Sequence, residues 1–355
     1  MKSRNQLIAF FSALGMLILI LDGKTALRGA VAGINLCAHS LIPSLFPFFV
    51  LSVLLTGALS AEPLRCIGPV CAIVGIPKGA ESLIAVGLLG GYPVGAQSIS
   101  LLHRHKHINA FQAMRLLAFC NNAGPAFIFG ILGAMFSSKV APWLLWIVHI
   151  ISALLVGILL PSSEPVKIIP HISYKIRITD ALSQAVKTMS LVCGWVISVR
   201  VILEFLQSWL LMYLPLPVQV LVTGVLELSN GCLRLSELES ESARFLISSF
   251  LLPLGGMCVA LQTAAVADGI SMKLYFPGKI LQCSISILLS SILQFLLPFK
   301  SYSLCTGAIL LSTVIIITIT ANFRYSKKTV EFHHYLMYNR FNKKKEVSSC
   351  FFAKE

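Results

Sequence analysis

Charge is what this sequence has least of. Only 12% of its 355 residues are Asp, Glu, Lys or Arg, where a water-soluble globular chain carries about 25%. Acidic residues are the scarcer kind, 14 against 28 Lys and Arg. So little charge, with 56% hydrophobic residues and several long apolar runs, excludes a soluble domain and implies a chain that crosses the bilayer repeatedly. Other absences narrow the function. There is no HExxH, no GxSxG, no Walker loop and no pair of carboxylates in a plausible cleft. Metalloprotease, serine-hydrolase and ATP-driven chemistry therefore lack the residues they need, and no enzyme is expected. Ten cysteines are present without one CxxC pair. Most lie in apolar runs, where cysteine acts as a small hydrophobe, so neither a disulfide framework nor a bound metal or cofactor is expected.

The net charge of +14 would suggest nucleic acid on a soluble protein. Here Lys and Arg gather in loops and tail, as cytoplasmic segments facing anionic headgroups do, so the bilayer and not nucleic acid is the expected partner. The five-residue loop His103-Arg104-His105-Lys106-His107 fits that reading better than a metal site, because no carboxylate or cysteine stands beside its histidines. No A-x-A-like cleavage site follows the apolar run at residues 7–21, so a retained first span is expected.

What is present, and unusual, is a set of interruptions at membrane depth. Gly90-Gly91-Tyr92-Pro93-Val94-Gly95-Ala96-Gln97 breaks an apolar run from residue 82 to 102. Similar breaks fall at Asn121-Asn122-Ala123-Gly124-Pro125, at Glu227-Leu228-Ser229-Asn230-Gly231 and at Pro253-Leu254-Gly255-Gly256. Glycine and proline oppose a straight helix. Backbone freed from the helical ladder in a membrane must find partners in protein or in a water-filled cavity, and transporters place substrate sites at such broken helices. The order break, polar loop, arginine, apolar stretch, break occurs twice, with Arg115 in the first half and Arg244 in the second. Arg200 and Glu204, four apart in an apolar run, are expected to pair on one helical face. Ile178, Leu182, Ala185, Val186 and Met189 at helical spacing suggest a separate interfacial amphipathic helix before that run. Pro43 and Pro47 are expected to kink an early span, with His39 as a hydrogen-bonded interior residue.

The fold expected is an all-α, polytopic transmembrane helical bundle of about eight crossings by the length rule, with two related halves and broken or re-entrant helices. Its divisions are an N-terminal span and loop (1–28), a first repeat (29–160), a connector with an interfacial helix (161–187), a second repeat (188–321) and a basic cytoplasmic tail (322–355). A short apolar stretch at 64–77 reads as a re-entrant or interfacial hairpin.

Four stretches together resemble the sporulation integral membrane protein YlbJ family, which belongs with the nucleoside-recognition, or Gate, domain membrane proteins. They are Gly91-Tyr92-Pro93-Val94-Gly95-Ala96, Phe119-Cys120-Asn121-Asn122-Ala123-Gly124-Pro125, Leu226-Glu227-Leu228-Ser229-Asn230-Gly231, and Gly255-Gly256 with Gln262. The resemblance implies a bacterial cell-membrane protein of an endospore former, a Gate-type fold with two related halves, a role in spore formation and kinship with nucleoside transporters. Gln97 stands where the family pattern expects a lysine and Ala260 where it expects a histidine, so ion or proton coupling through those positions is not carried over. A transporter-like protein would bind a small polar solute, nucleoside-related in chemistry, with Gly91, Tyr92, Pro93, Gly95, Gln97, Asn121, Asn122, Gly124, Pro125, Glu227, Ser229, Asn230, Gly231, Gly255, Gly256 and Gln262 as its site. Glu227, the only carboxylate in a break, is then the place for a proton or cation. The alternative is a non-transporting structural or assembly component needed for spore formation, in which the breaks are packing devices and the partners are copies of itself or other sporulation membrane proteins.

Overall fold

The computed structural model describes residues 2–59, 65–76, 79–161, 177–267, 269–296 and 311–320, and every regular element among them is helical. Of the connector proposed at 161–187, residues 162–176 lie outside the described residues, as does the tail at 322–355. Of the hairpin proposed at 64–77, a 3-10 turn at Arg65–Ile67 and the short α4, Gly68–Ile73, are described.

The N-terminal helix α1 (Lys2–Leu21) is followed by α2 (Gly23–Leu36), whose first turn is capped by Asp22 accepting from the Thr25 amide at 3.1 Å. A π-helical turn at Cys37–Leu41 leads into α3 (Ile42–Leu59). The helix therefore runs on through Pro43 and Pro47, and the irregularity falls one turn earlier than the prolines. Ser44 Oγ donates to the Ser40 carbonyl there. His39 is exposed rather than interior.

Two sets of broken helices follow. The first comprises α5 (Ser82–Leu89) with α6 (Val94–Arg104), then α7 (Ala110–Phe119) with α8 (Pro125–Gly130), closed by the long α9 (Ala141–Leu159). The second opens on the long α10 (Ile178–Trp209). It continues with α11 (Leu216–Leu226) and α12 (Leu228–Arg234), then α13 (Glu241–Leu254) and α14 (Gly256–Val266), and closes on α15 (Tyr275–Leu296). A further helix, α16, covers Leu311–Thr320. Broken pair, broken pair, long helix is thus the order in both stretches. Local sequence sets the ends. Asn109 and Gln112 form a reciprocal capping box on α7. Pro125 sits in the first turn of α8, where its missing N–H costs nothing. Gly255, at φ +71°, ends α13 in the left-handed region where a side chain would be strained.

The stretch at 178–189 is not a separate interfacial helix but the first turns of a continuous 32-residue α10. Ala181, Ala185 and Met189 turn inward while Ile178, Leu182 and Val186 face out. Arg200 and Glu204 do pair, at 3.2 Å, with Arg28 of α2 at 3.5 Å from the same carboxylate. Gly29 and Gly33 let α2 lie directly on α10: a Cβ on either would come within 3 Å of the Val201 or Ile197 Cα.

Among the described residues, five helical stretches are long and apolar enough to cross a membrane: Gly23–Ala58, Ala141–Leu159, Ile178–Trp209, Glu241–Val266 and Tyr275–Gln294. The expected count of eight included apolar runs that the breaks divide into shorter helices. Burial distinguishes inner from outer elements. Glu241–Val266 and Tyr275–Gln294 are more than half buried along their most apolar turns, whereas Gly23–Ala58 and Ile178–Trp209 are mostly exposed there. The second half's broken helix and α15 form the interior, and α2, α3 and α10 present leucine, isoleucine and valine outward to lipid.

Candidate functional site

The four breaks meet. Gly91 lies against Gly124, so closely that a Cβ on Gly124 would stand 2.9 Å from the Gly91 Cα. This joins the two breaks of the first half. In the second half, Gly224 of α11 receives Gly231 of α12 and Gly256 of α14, where a Cβ on Gly256 would lie 2.9 Å from the Gly224 carbonyl oxygen. Tyr92 couples the halves: its hydroxyl donates to the Leu252 and Pro253 carbonyls, each at 3.1 Å, in the last turn of α13. Those carbonyls sit where the helical ladder is ending, and a phenol from the other half satisfies them.

Between the breaks is a cavity of about 50 Å³. Gly90, Gly91, Tyr92, Ala123, Gly124, Glu227, Leu228, Ser229 and Gln262 line it, with Phe49, Phe127, Val192, Val196 and Val259 completing an apolar wall. All four breaks or the helices that leave them contribute. Of the residues expected at the site, Gly91, Tyr92, Gly124, Glu227, Ser229 and Gln262 line this cavity. Pro93 and Pro125 sit behind it, at the N-cap of α6 and the start of α8. Gly95 packs on the Cys120 carbonyl. Gln97 belongs elsewhere. Its amide donates to Thr188 Oγ1 at 3.2 Å and accepts from Gln184 at 3.4 Å, on the wall of a second, larger crevice of about 470 Å³ that also includes Arg104 and Ala265.

Glu227 is 3% exposed and ends α11 in extended backbone. Its carboxylate accepts from the Ser229 amide at 3.0 Å, from the Asn230 amide at 2.7 Å and from Asn230 Nδ2 at 2.7 Å. It is the N-cap of α12, with the positive end of that helix and one side-chain amide holding it. Asn230 is therefore bonded to Glu227, and Gly231 is buried against α11.

Asn121 and Asn122 are fully buried and turned away from the cavity. Asn121 Nδ2 donates to Thr263 Oγ1 on α14 at 2.8 Å, and Asn122 Nδ2 to the Phe119 carbonyl at 2.6 Å. The remaining partner comes from α15. Lys279, 1% exposed, places Nζ 2.5 Å from the Asn121 carbonyl oxygen, 3.1 Å from Gln282 Oε1 and 3.3 Å from Asn122 Oδ1. Gln282 in turn donates to Asn122 Oδ1 at 2.9 Å. The rings of Tyr92 and Tyr275 face the ammonium at 5.4 and 5.9 Å, within the range of cation–π attraction. His149 of α9, 1% exposed, lies within electrostatic reach of the same charge. Lys279 and Gln282 were not expected at the site. A lysine just before an apolar run reads as the edge of a membrane span, and only the crossing of α15 with the second break makes it interior.

Arg115 and Arg244, which mark corresponding places in the two stretches, do comparable work. Arg115 donates to the carbonyls of Gly75, Val74 and Gly157 and stacks over Phe119. Arg244 donates to the Leu238 and Met135 carbonyls.

This architecture defines a class: a helical integral membrane protein whose broken helices meet at a buried polar centre. The chain is 26% identical, over 333 aligned residues covering 79% of it and 80% of the relative, to "Sporulation integral membrane protein YlbJ" of Bacillus subtilis (strain 168). That likeness agrees with the resemblance carried by the four sequence stretches. No family model and no solved structure matches the chain.

Proposed function

We propose that this protein is transporter-like, with the central cavity as the place where a small polar solute binds, and that it acts in spore formation as its relative's name indicates. The observation that carries the reading is the convergence of four separate breaks, from both stretches of the chain, on one cavity holding a single carboxylate. Glycine–glycine crossings let backbone approach a ligand there, and Glu227 with Gln262 favours a cationic or hydrogen-bond-donating group set against the aromatic wall. At about 50 Å³ the cavity admits a few water molecules, so a nucleoside-sized solute requires the halves to move apart. Nothing in the proposed chemistry calls for catalysis.

A second reading keeps its own support. Asn121, Asn122 and Asn230 have their side-chain donors bonded within the protein, as expected of a membrane scaffold whose breaks are packing devices.

Thermal-shift binding on detergent-solubilised protein separates them, with nucleosides, nucleobases, amines and small ions as the panel. A ligand of the folded state raises the melting temperature in proportion to ln(1 + [L]/Kd). Glu227→Gln is a poor probe by itself, because it also unmakes the α12 cap. Val259→Phe fills the cavity from its apolar side and leaves the cap alone. A stabilising ligand whose effect vanishes in Val259→Phe supports solute binding. Stabilisation that persists in that variant, or none from any compound, moves the assignment to the scaffold.

A further inference from the structure

The environment of Lys279 is that of a bound cation. Nζ faces one backbone carbonyl oxygen, two amide oxygens and two tyrosine rings. Each of these groups presents negative potential and none is a donor to it. Among the described residues no carboxylate lies within 4 Å of the ammonium: the ion pairs present are those of Arg28, Arg177, Arg200 and Arg234. A buried charge without a counter-ion survives only where its hydrogen-bonding capacity is filled. Three oxygens at 2.5–3.3 Å fill the three donors of an ammonium. Carbonyl and amide oxygens arranged in this way are also how proteins hold alkali cations in a membrane, by replacing the hydration shell with fixed dipoles. The three oxygens come from the second break and from α15, and Gly278 lets α15 approach there, since a Cβ on it would come 2.6 Å from Ala118 Cβ.

We infer that Asn121, Asn122 and Gln282 form a monovalent-cation site whose occupant is the chain's own Lys279 ammonium, so that the native protein needs no free cation to hold these elements together. Removing the lysine should leave a site for an alkali ion or a small alkylammonium. The inference stands apart from solute binding, since none of Asn121, Asn122 and Gln282 lines the central cavity.

The test compares wild type with Lys279→Ala, full-length and in detergent, by melting temperature in chloride salts of Na⁺, K⁺, ammonium, methylammonium and choline at one ionic strength. The wild type should melt at the same temperature in all of them. Lys279→Ala should melt several degrees lower in choline and recover saturably in at least one small cation. Equal melting of a folded Lys279→Ala protein in choline and in every small cation overturns the inference. Should that variant fail to fold in any salt, Gln282→Glu decides, because it sets a carboxylate 3 Å from Nζ in place of an amide. Gln282→Glu also loses the Gln282 donor to Asn122 Oδ1, so it is compared with Gln282→Leu, which loses the same donor. A held cation predicts that Gln282→Glu melts above Gln282→Leu; melting at or below it would mean that Lys279 is packed as an uncharged amine and overturns the inference.

Discussion

Glu227 and Lys279, two of the charged groups buried in this interior, are satisfied in opposite ways. Glu227 takes its three hydrogen bonds from residues two and three positions along the chain. Its environment is local, the N-terminus of the short α12 that it caps. Lys279 takes two of its three from the Asn121 carbonyl and the Asn122 amide, 158 and 157 residues away. The anion is solved by secondary structure and the cation by tertiary structure. A carboxylate at a break can use the amides that the break itself exposes, whereas an ammonium needs oxygens, and the carbonyls it finds belong to a different break. The positive centre therefore ties α15 to the first stretch, while the negative centre shapes one turn. That difference predicts which substitutions unravel the whole protein and which loosen a part.

The largest effect should come from the shared acceptor. Asn122→Leu removes the oxygen that receives both Lys279 and Gln282, and the donor to Phe119. Breaking a buried charged network from one side costs about 3–5 kcal/mol, so this variant should have the lowest melting temperature of the set, with hydrogen exchange rising in α7 and α15 together. Exchange confined to the second break would contradict the tertiary role given to the positive centre.

Next is the glycine crossing beneath it. In Gly124→Ala the new Cβ would meet the Gly91 Cα at 2.9 Å, the Gly91 nitrogen at 3.0 Å and the Leu89 oxygen at 3.1 Å. All three are backbone atoms, which cannot rotate away. Overpacking of this kind costs about 1–3 kcal/mol, and the loss should be read as a lowered melting temperature with secondary structure retained by circular dichroism. A variant that melts with the wild type would show that the breaks separate freely.

The negative centre should yield less, and locally. Glu227→Gln keeps the shape but turns an amide toward amide donors, and loss of an N-cap costs about 1–2 kcal/mol. Faster hydrogen exchange limited to α12 is expected. A global loss comparable to Asn122→Leu would erase the distinction between the two centres.

How much of this was legible in the sequence follows from the same contrast. The helical membrane class is written in composition, and the breaks in glycine, proline and asparagine, because these act through the local backbone. Glu227 stood out for the same reason: its partners are its neighbours. The pairing of Arg200 with Glu204 was readable from one helical turn. Lys279 was not, because its meaning depends on a carbonyl 158 residues away. Nor were the roles of Asn121 and Asn122, whose amides suited a ligand as well as a neighbouring helix and are bonded to α14, α15 and the end of α7. The uninterrupted passage of α10 from the amphipathic stretch into the span was hidden as well, since a change in pattern along one helix looks like a boundary between two.

The smallest effect serves as the control for distance. Ser249 and Ser290 join α13 to α15 by a hydroxyl pair at 2.6 Å, buried and 41 residues apart in sequence. Like the Lys279 contacts, it is tertiary and anchors α15, but it is neutral, and Ser249 also reaches the Phe245 carbonyl at 2.8 Å. In Ser290→Ala the surviving hydroxyl keeps that second partner, so no buried polar atom is stranded. Cross-helix hydrogen bonds of this kind in membranes average about 0.6 kcal/mol, and Ser290→Ala should shift the melting temperature by no more than a degree or two. If it instead matched Asn122→Leu, the sensitivity of α15 would be a matter of packing anywhere along its length. A small shift beside a large one locates that sensitivity in the charge of Lys279 and in the loss of one of the three oxygens that hold it.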